Sequence, residues 1–358
     1  MKKALKMVLL ASLAVFNLSC ELDYQTAAEL QNYFSELHEN EGFNGTVLIA
    51  EKGKILYTGG FGFRNIEDAS ENNPDTIFNI ASLSKQFTSM CIMMLSEKGL
   101  LSVDDTIGMY VPELIHGNEI TIKQCLTHTS GLTEFLANEE LWNHTDEQHT
   151  PAALLGYFAD ADLDFTPGTD WAYSNTNYIT LGIIIERVSG TDYSTFLQQN
   201  IFSKLKMHRS FYDAEDDDIY CNRSTGYDSI DPAAEAMYFH PSLAYAAGAV
   251  HSTAVDMFKW IQALKSQKLV SRDTLNEIFT PGIGNYGYGW FIDQLQVNNV
   301  TYNQTWHWGS FFGYGSYVTR LVDEDVTIII LKNTTVEAPE EFGSIIRNVV
   351  SIVLQDMD

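Results

Sequence analysis

The chain has 358 residues, 45% apolar and 19% charged, with a formal net charge of −26 at pH 7. That length buries a large core in one or two domains, and the composition is that of an ordinary globular body. The acidic balance excludes nucleic acid and an anionic membrane surface as partners, because both need a basic patch.

Residues 1–19 read as a signal peptide. Lys2, Lys3 and Lys6 form a basic start, and Met7 to Phe16 is an apolar run too short to span a bilayer. The Asn17-Leu18-Ser19-Cys20 that follows is similar to a bacterial lipoprotein signal, with Cys20 as the lipidated first mature residue. Leu18 lies one place nearer the cysteine than that pattern has it. The expectation is export to the periplasm or cell envelope, with a lipid on Cys20 as the sole membrane attachment. Loss of residues 1–19 removes three lysines and no acid, taking the net charge from −26 to −29. Cys91, Cys125 and Cys221 remain, an odd number, and are expected to be thiols without a role.

Residues 20–40 are an N-terminal linker and first helix, with Ala28, Leu30, Tyr33, Phe34 and Leu37 at helical spacing. Gly45 to Ala50 and Lys54 to Gly59, joined by the Lys52-Gly53 turn, have the pattern of a hairpin. A helix is expected from Phe78 onward, apolar nearly all round from Phe87 to Leu95 and therefore buried, with Gly99 as its stop. Ile120 to His128 reads as a helix, 176–200 as an amphipathic helix pair, and Ala254 to Leu264 as one more amphipathic helix. Strands are expected at Tyr288 to Ile292, Gly315 to Val322 and Val326 to Leu331, and a final helix at Phe342 to Leu354. Strands thus lie at both ends of the chain with helices between. The fold class expected is α/β: an antiparallel sheet flanked by helices, formed by 41–81 and 245–358, plus an inserted mostly helical domain, 82–244, with the active site in the cleft between them.

Ser82 and Lys85 share one side of the helix that begins near Phe78. A serine hydroxyl needs a base, and a desolvated lysine is one. The spacing alone is weak, since Ser203 and Lys206 repeat it. Tyr173 offers a phenol for proton transfer, and Asn175 a donor and an acceptor for a substrate amide. His307 can be a donor or a cation, Gly309 admits close backbone approach, and the N–H of Ser310 can share an oxyanion with that of Ser82. His144 and His149, five apart, do not share a helical face, and Asp213 to Asp218 lacks the glycine and spaced ligands of a calcium loop. No metal and no cofactor is expected.

Taken in order, Ser82-x-x-Lys85, Tyr173-x-Asn175 and His307-x-Gly309 resemble the three motifs of serine β-lactamases and penicillin-binding proteins, in the class C branch with its DD-peptidase and esterase relatives. The resemblance runs over about residues 25–355 and takes in Ile120 to Leu132, Ala246 to Trp260 and Tyr286 to Trp290. It implies Ser82 as acylated nucleophile, Lys85 and Tyr173 sharing the acid and base work, and Asn175, His307, Gly309 and Ser310 binding the substrate. Where β-lactamases carry Lys-Thr-Gly this chain has His307-Trp308-Gly309. That replaces a fixed charge by a titratable one and a hydroxyl by an indole, and so weakens recognition of a substrate carboxylate. The expected activity is hydrolysis of esters or small peptides, D-amino-acid peptides included, with weak or no action on β-lactams. The alternatives are a class C-type β-lactamase or a catalytically silent peptide-binding lipoprotein. The expected partner is a small-molecule or short-peptide substrate, with the chain a monomer.

Overall fold

Val47, Leu48, Ile49 and Ala50 alternate between two cores, and that alternation defines the architecture. The computed structural model describes residues 24–212 and 221–355. Residues 1–19, expected to be a signal peptide, Cys20 and the acidic run 213–218 lie outside them. The strands β1 (Gly45–Glu51), β2 (Lys54–Phe61), β3 (Phe291–Val297), β4 (Val300–Phe311), β5 (Tyr314–Leu321) and β6 (Val326–Lys332) form one sheet in the order β3-β4-β5-β6-β1-β2, antiparallel at every junction. Being central, β1 is apolar on both faces and reads as an unbroken run rather than an alternation.

One face is covered by helix α1 (24–41) and by the C-terminal helix α5 (Glu340–Val353). Leu30, Phe34 and Leu37 form the stripe of α1, and Phe342, Ile345, Ile346, Val349 and Val350 that of α5. The other face carries helix α4 (Ala254–Ala263) and the helices of residues 84–205. Central among these are α2 (Ser84–Glu97), buried from Ser84 through Leu95, and α3 (Asn175–Ser189), which packs against it. Each stops at a glycine in the left-handed region, Gly99 and Gly190. Among the described residues no helix is long and apolar enough to cross a membrane.

Several elements depart from the sequence reading. Phe78–Asn79 is not a helix start but a short strand, held against His251 and Ser252, and the helix proper begins at Ser84. The helix expected over Ile120 to His128 is only Ile122–Leu126, because Thr121 and Gln124 close a capping box that starts it late. The α3 segment is not amphipathic: Thr176 to Ile185 are buried on every side. The strand expected at Tyr288 lies three residues later, and β4 was missed as an element. Cys91 and Cys125 are buried and Cys221 is exposed. His144 lies between Glu140 and Glu147, and His149 bonds to the Tyr157 hydroxyl.

Candidate active site

Ser82 lies in the single 3₁₀ turn Ala81–Leu83, between the Phe78–Asn79 strand and α2. Ala81 has φ +49°, a left-handed conformation unfavourable to a residue with a Cβ. The turn is clamped in that state. Asn79 Oδ1 accepts from Ala81 N at 2.6 Å, and Ser316 Oγ donates to Ile80 O at 2.7 Å. Gly309 on β4 presses on the same turn: a Cβ there would come within 2.7 Å of Ser82 N and 2.8 Å of Ala81 Cβ. The glycine is what lets the strand edge touch the nucleophile's backbone.

Lys85, one helical turn on, is fully buried. Its Nζ donates to Asn175 Oδ1 at 2.7 Å and to Ala247 O at 2.9 Å, and lies 3.1 Å from Ser82 Oγ. Burial pulls its pKa down to about 7, with the Glu134 carboxylate opposing. The two carbonyl oxygens can only accept, so a neutral amine gives them its two N–H groups and is left with its lone pair toward Ser82 Oγ. The geometry therefore builds a base aimed at the serine proton.

Tyr173 stacks with its ring under that amine, Nζ lying 4.8 Å from the ring centre. Its hydroxyl is shielded from water and is influenced by the Ser82 hydroxyl, without a hydrogen bond of ordinary geometry. Burial raises the phenol's pKa strongly, so the resting Tyr173 is protonated. In that form Tyr173 can donate a proton, while Lys85, with its lowered pKa, can accept one.

Asn175 is held by a residue the sequence reading passed over. Glu134 Oε2 accepts from both Asn175 N (2.6 Å) and Asn175 Nδ2 (3.2 Å), which turns the amide so that its oxygen meets Lys85. His128 is a second omission. It is buried, with φ +58°, and its ring stacks 4.3 Å from that of Tyr173. Its Nδ1 accepts from Ser174 N at 3.2 Å, so the proton of the neutral ring is on Nε2. Neither residue belongs to a spaced motif, and only tertiary placement reveals them.

His307 is buried and neutral. Its Nδ1–H donates to Trp308 O at 2.6 Å, and Nε2 accepts from the Tyr286 hydroxyl at 2.9 Å. Burial and the nearby Lys85 hold its pKa down to about 3. It is therefore not the titratable cation the sequence suggested. Strand alternation also takes Trp308 out of the site: with Trp306 it packs on the α1/α5 face of the sheet, opposite to His307 and Gly309. Ser310 lines the Ser82 cavity, its hydroxyl donating to Val336 O at 2.6 Å. The repeated pair Ser203 and Lys206 is exposed and does not line the Ser82 cavity.

The cavity at Ser82 measures about 270 Å³. Its walls include Phe135, Leu136, Trp142, Phe239, Phe311 and Phe312, with Asn175 and Ala247 at the base, and no lining residue carries a formal charge. Phe239 and Phe312 stack at 4.9 Å.

A family model described as Beta-lactamase matches residues 30–348. The chain belongs to the β-lactamase family. This β-lactamase-family chain is 30% identical over 328 residues to a penicillin-binding protein of Bacillus subtilis (strain 168), covering 85% of this chain and 71% of that one. It is 27% identical over 265 residues to a teichoic acid D-alanine hydrolase of Staphylococcus aureus (strain MRSA252), covering 71% of this chain and 64% of the relative. The chain thus spans about two thirds of the length of these curated relatives. Among solved structures, the octameric penicillin-binding protein homologue from Pyrococcus abyssi superposes with a TM-score of 0.80 at 25% identity, over 92% of this chain and 77% of that one. The D-amino acid amidase from Ochrobactrum anthropi SV3 does so with 0.79 at 22% identity, over 94% and 100%. The β-lactamase-family fold and the serine hydrolase class follow from these matches.

Proposed function

We propose that the protein is an exported acyl-transfer hydrolase that acts through a Ser82 acyl-enzyme on esters or amides with a neutral, apolar acyl group, D-amino-acid peptides included, and acts weakly or not at all on β-lactams. The observation that carries this reading is the buried Lys85 Nζ 3.1 Å from Ser82 Oγ, beside a cavity whose lining carries no formal charge. Neutral Lys85 takes the Ser82 hydroxyl proton as Oγ bonds to the substrate carbonyl carbon. The resulting oxyanion is assigned to the N–H groups of Ser82 and Ser310. The leaving group departs with a proton from Tyr173 or from the Lys85 ammonium, and water then cleaves the ester to Ser82 by the reverse sequence.

The substrate preference follows from what faces the serine. A β-lactam presents a carboxylate, and the neutral His307 offers it no charge-assisted partner. Six large apolar side chains instead favour a hydrocarbon or aromatic acyl group. The teichoic acid D-alanine hydrolase relative is named for hydrolysis involving D-alanine, which supports a D-amino-acid substrate for this chain. Export rests on residues 1–20 alone.

The test is turnover of a chromogenic ester, a D-amino-acid anilide and a chromogenic cephalosporin by wild type and Ser82→Ala. The expected result is ester or anilide cleavage lost with Ser82. Efficient cephalosporin hydrolysis with negligible ester cleavage would establish the class C-type β-lactamase reading instead. Mass measurement of the chain purified from its own envelope tests export: a lipid-modified product starting at Cys20 is expected, and an intact Met1 product would end that claim.

A further inference from the structure

Arg320 on β5 lies directly opposite Thr305 on β4, which in turn faces Ile292 on β3. This row crosses the sheet on the face covered by α4 and by the short helix Arg272–Ile278, and it lines a groove of about 740 Å³. The groove shares no lining residue with the Ser82 cavity. The Arg320 guanidinium lies 5.4 Å over the Phe279 ring. Its Nε is shielded from water and has no hydrogen-bond partner among the described residues, and the same holds for Thr305 Oγ1 beside it.

We propose that this groove is a second ligand site, in which the Arg320 fork and the Thr305 hydroxyl hold the oxyanion, carboxylate or phosphate, of a small molecule resting on Phe279. The other charged groups around the groove have partners of their own, although Asp293 and Asp323 meet neutral donors and keep their charge. Asp325 pairs with Lys265, and Arg272 donates to Lys265 O. Asp293 accepts from Gln304 and Trp306, and Asp323 accepts from Asn303. Half-buried Arg320 is left with an Nε donor that meets no acceptor among the described residues, and an unpaired buried donor is costly. Planar N–H donors in a fork fit a two-oxygen anion, and the aromatic floor takes the uncharged part. The volume is that of a small-molecule site. Burial lowers the Arg320 pKa without discharging it, and the charge offsetting this, Asp325, is the one bonded to Lys265.

Thermal unfolding in sodium acetate or sodium phosphate, against sodium chloride of equal ionic strength, tests this. The expected result is a saturable rise in Tm of about 2–4 °C at tenfold excess over the Kd with at least one anion. The rise persists in Ser82→Ala and vanishes in Arg320→Gln. Response to acetate assigns a carboxylate and response to phosphate alone a phosphate. No saturable rise, or an equal rise in Arg320→Gln, overturns the site. Arg320→Met, which keeps the stem and removes the charge, is expected to be at least as stable as wild type without added anion. A Tm lowered by more than about 5 °C would make Arg320 a structural residue and overturn the proposal equally.

Discussion

The pKa of Lys85 can be read twice, in rate and in stability, and the two readings must agree. With a pKa of about 7, the amine is neutral in about one molecule in eleven at pH 6 and ten in eleven at pH 8, so kcat/KM for a neutral ester rises about tenfold between them and then levels. The stability reading uses Lys85→Met as reference. The unfolded chain keeps the Lys85 proton up to its ordinary value of 10.5, whereas the folded chain releases it near 7. Between those values the unfolded state binds more protons, so folding is favoured as pH rises; below pH 7 the burial penalty is present in full. From pH 7 to 9 the wild type should gain about 2–3 kcal/mol relative to Lys85→Met, at about 1.4 kcal/mol per pH unit. Urea unfolding at fixed pH values measures this, and ester hydrolysis measures the rate limb. A rate limb near pH 10, or parallel stability curves for the two proteins, would refute a desolvated base at Ser82.

Gly309→Ala should lower the acylation rate about 100-fold, because its Cβ would meet Ser82 N at 2.7 Å and push the nucleophile's turn aside; stopped-flow with an ester reports it. Glu134→Gln removes the carboxylate that holds the Lys85 pKa up, so the rate limb should move to lower pH, and an unmoved limb would deny the coupling. Tyr286→Phe leaves His307 Nε2 buried without its donor and should cost about 1–3 kcal/mol in urea unfolding, while the pH–rate profile stays put because His307 is neutral throughout. His128→Phe keeps the stack on Tyr173 but loses the bond from Ser174 N; kcat should fall with KM little changed, and an unaltered kcat would make the histidine mere packing.

The contact between Ser82 and Lys85 was legible because both lie on one short segment, where a three-residue spacing converts directly into contact. Tyr173 and Asn175 were found through their motif, and the long buried helix through its all-round apolar run. Glu134 and His128 were not legible. Each serves a motif residue about forty positions away, and nothing local distinguishes Glu134 from the other acids of this chain. His307 and Trp308 were misassigned for a different reason. Whether a histidine is a cation depends on its burial, and whether an indole faces the site depends on strand parity, which requires β4 to be recognised as a strand. That strand carries Asn303 and Gln304 in its interior, so its apolar alternation is broken where it bonds to its neighbours.

Intact-protein mass spectrometry after exposure to a fluorophosphonate probes the central claim directly. One adduct per chain, mapped to Ser82, absent from Ser82→Ala and forming with a rate that levels above pH 8, is the result expected of a serine activated by a buried amine. No adduct on the wild type, or one mapped to another residue, would contradict it.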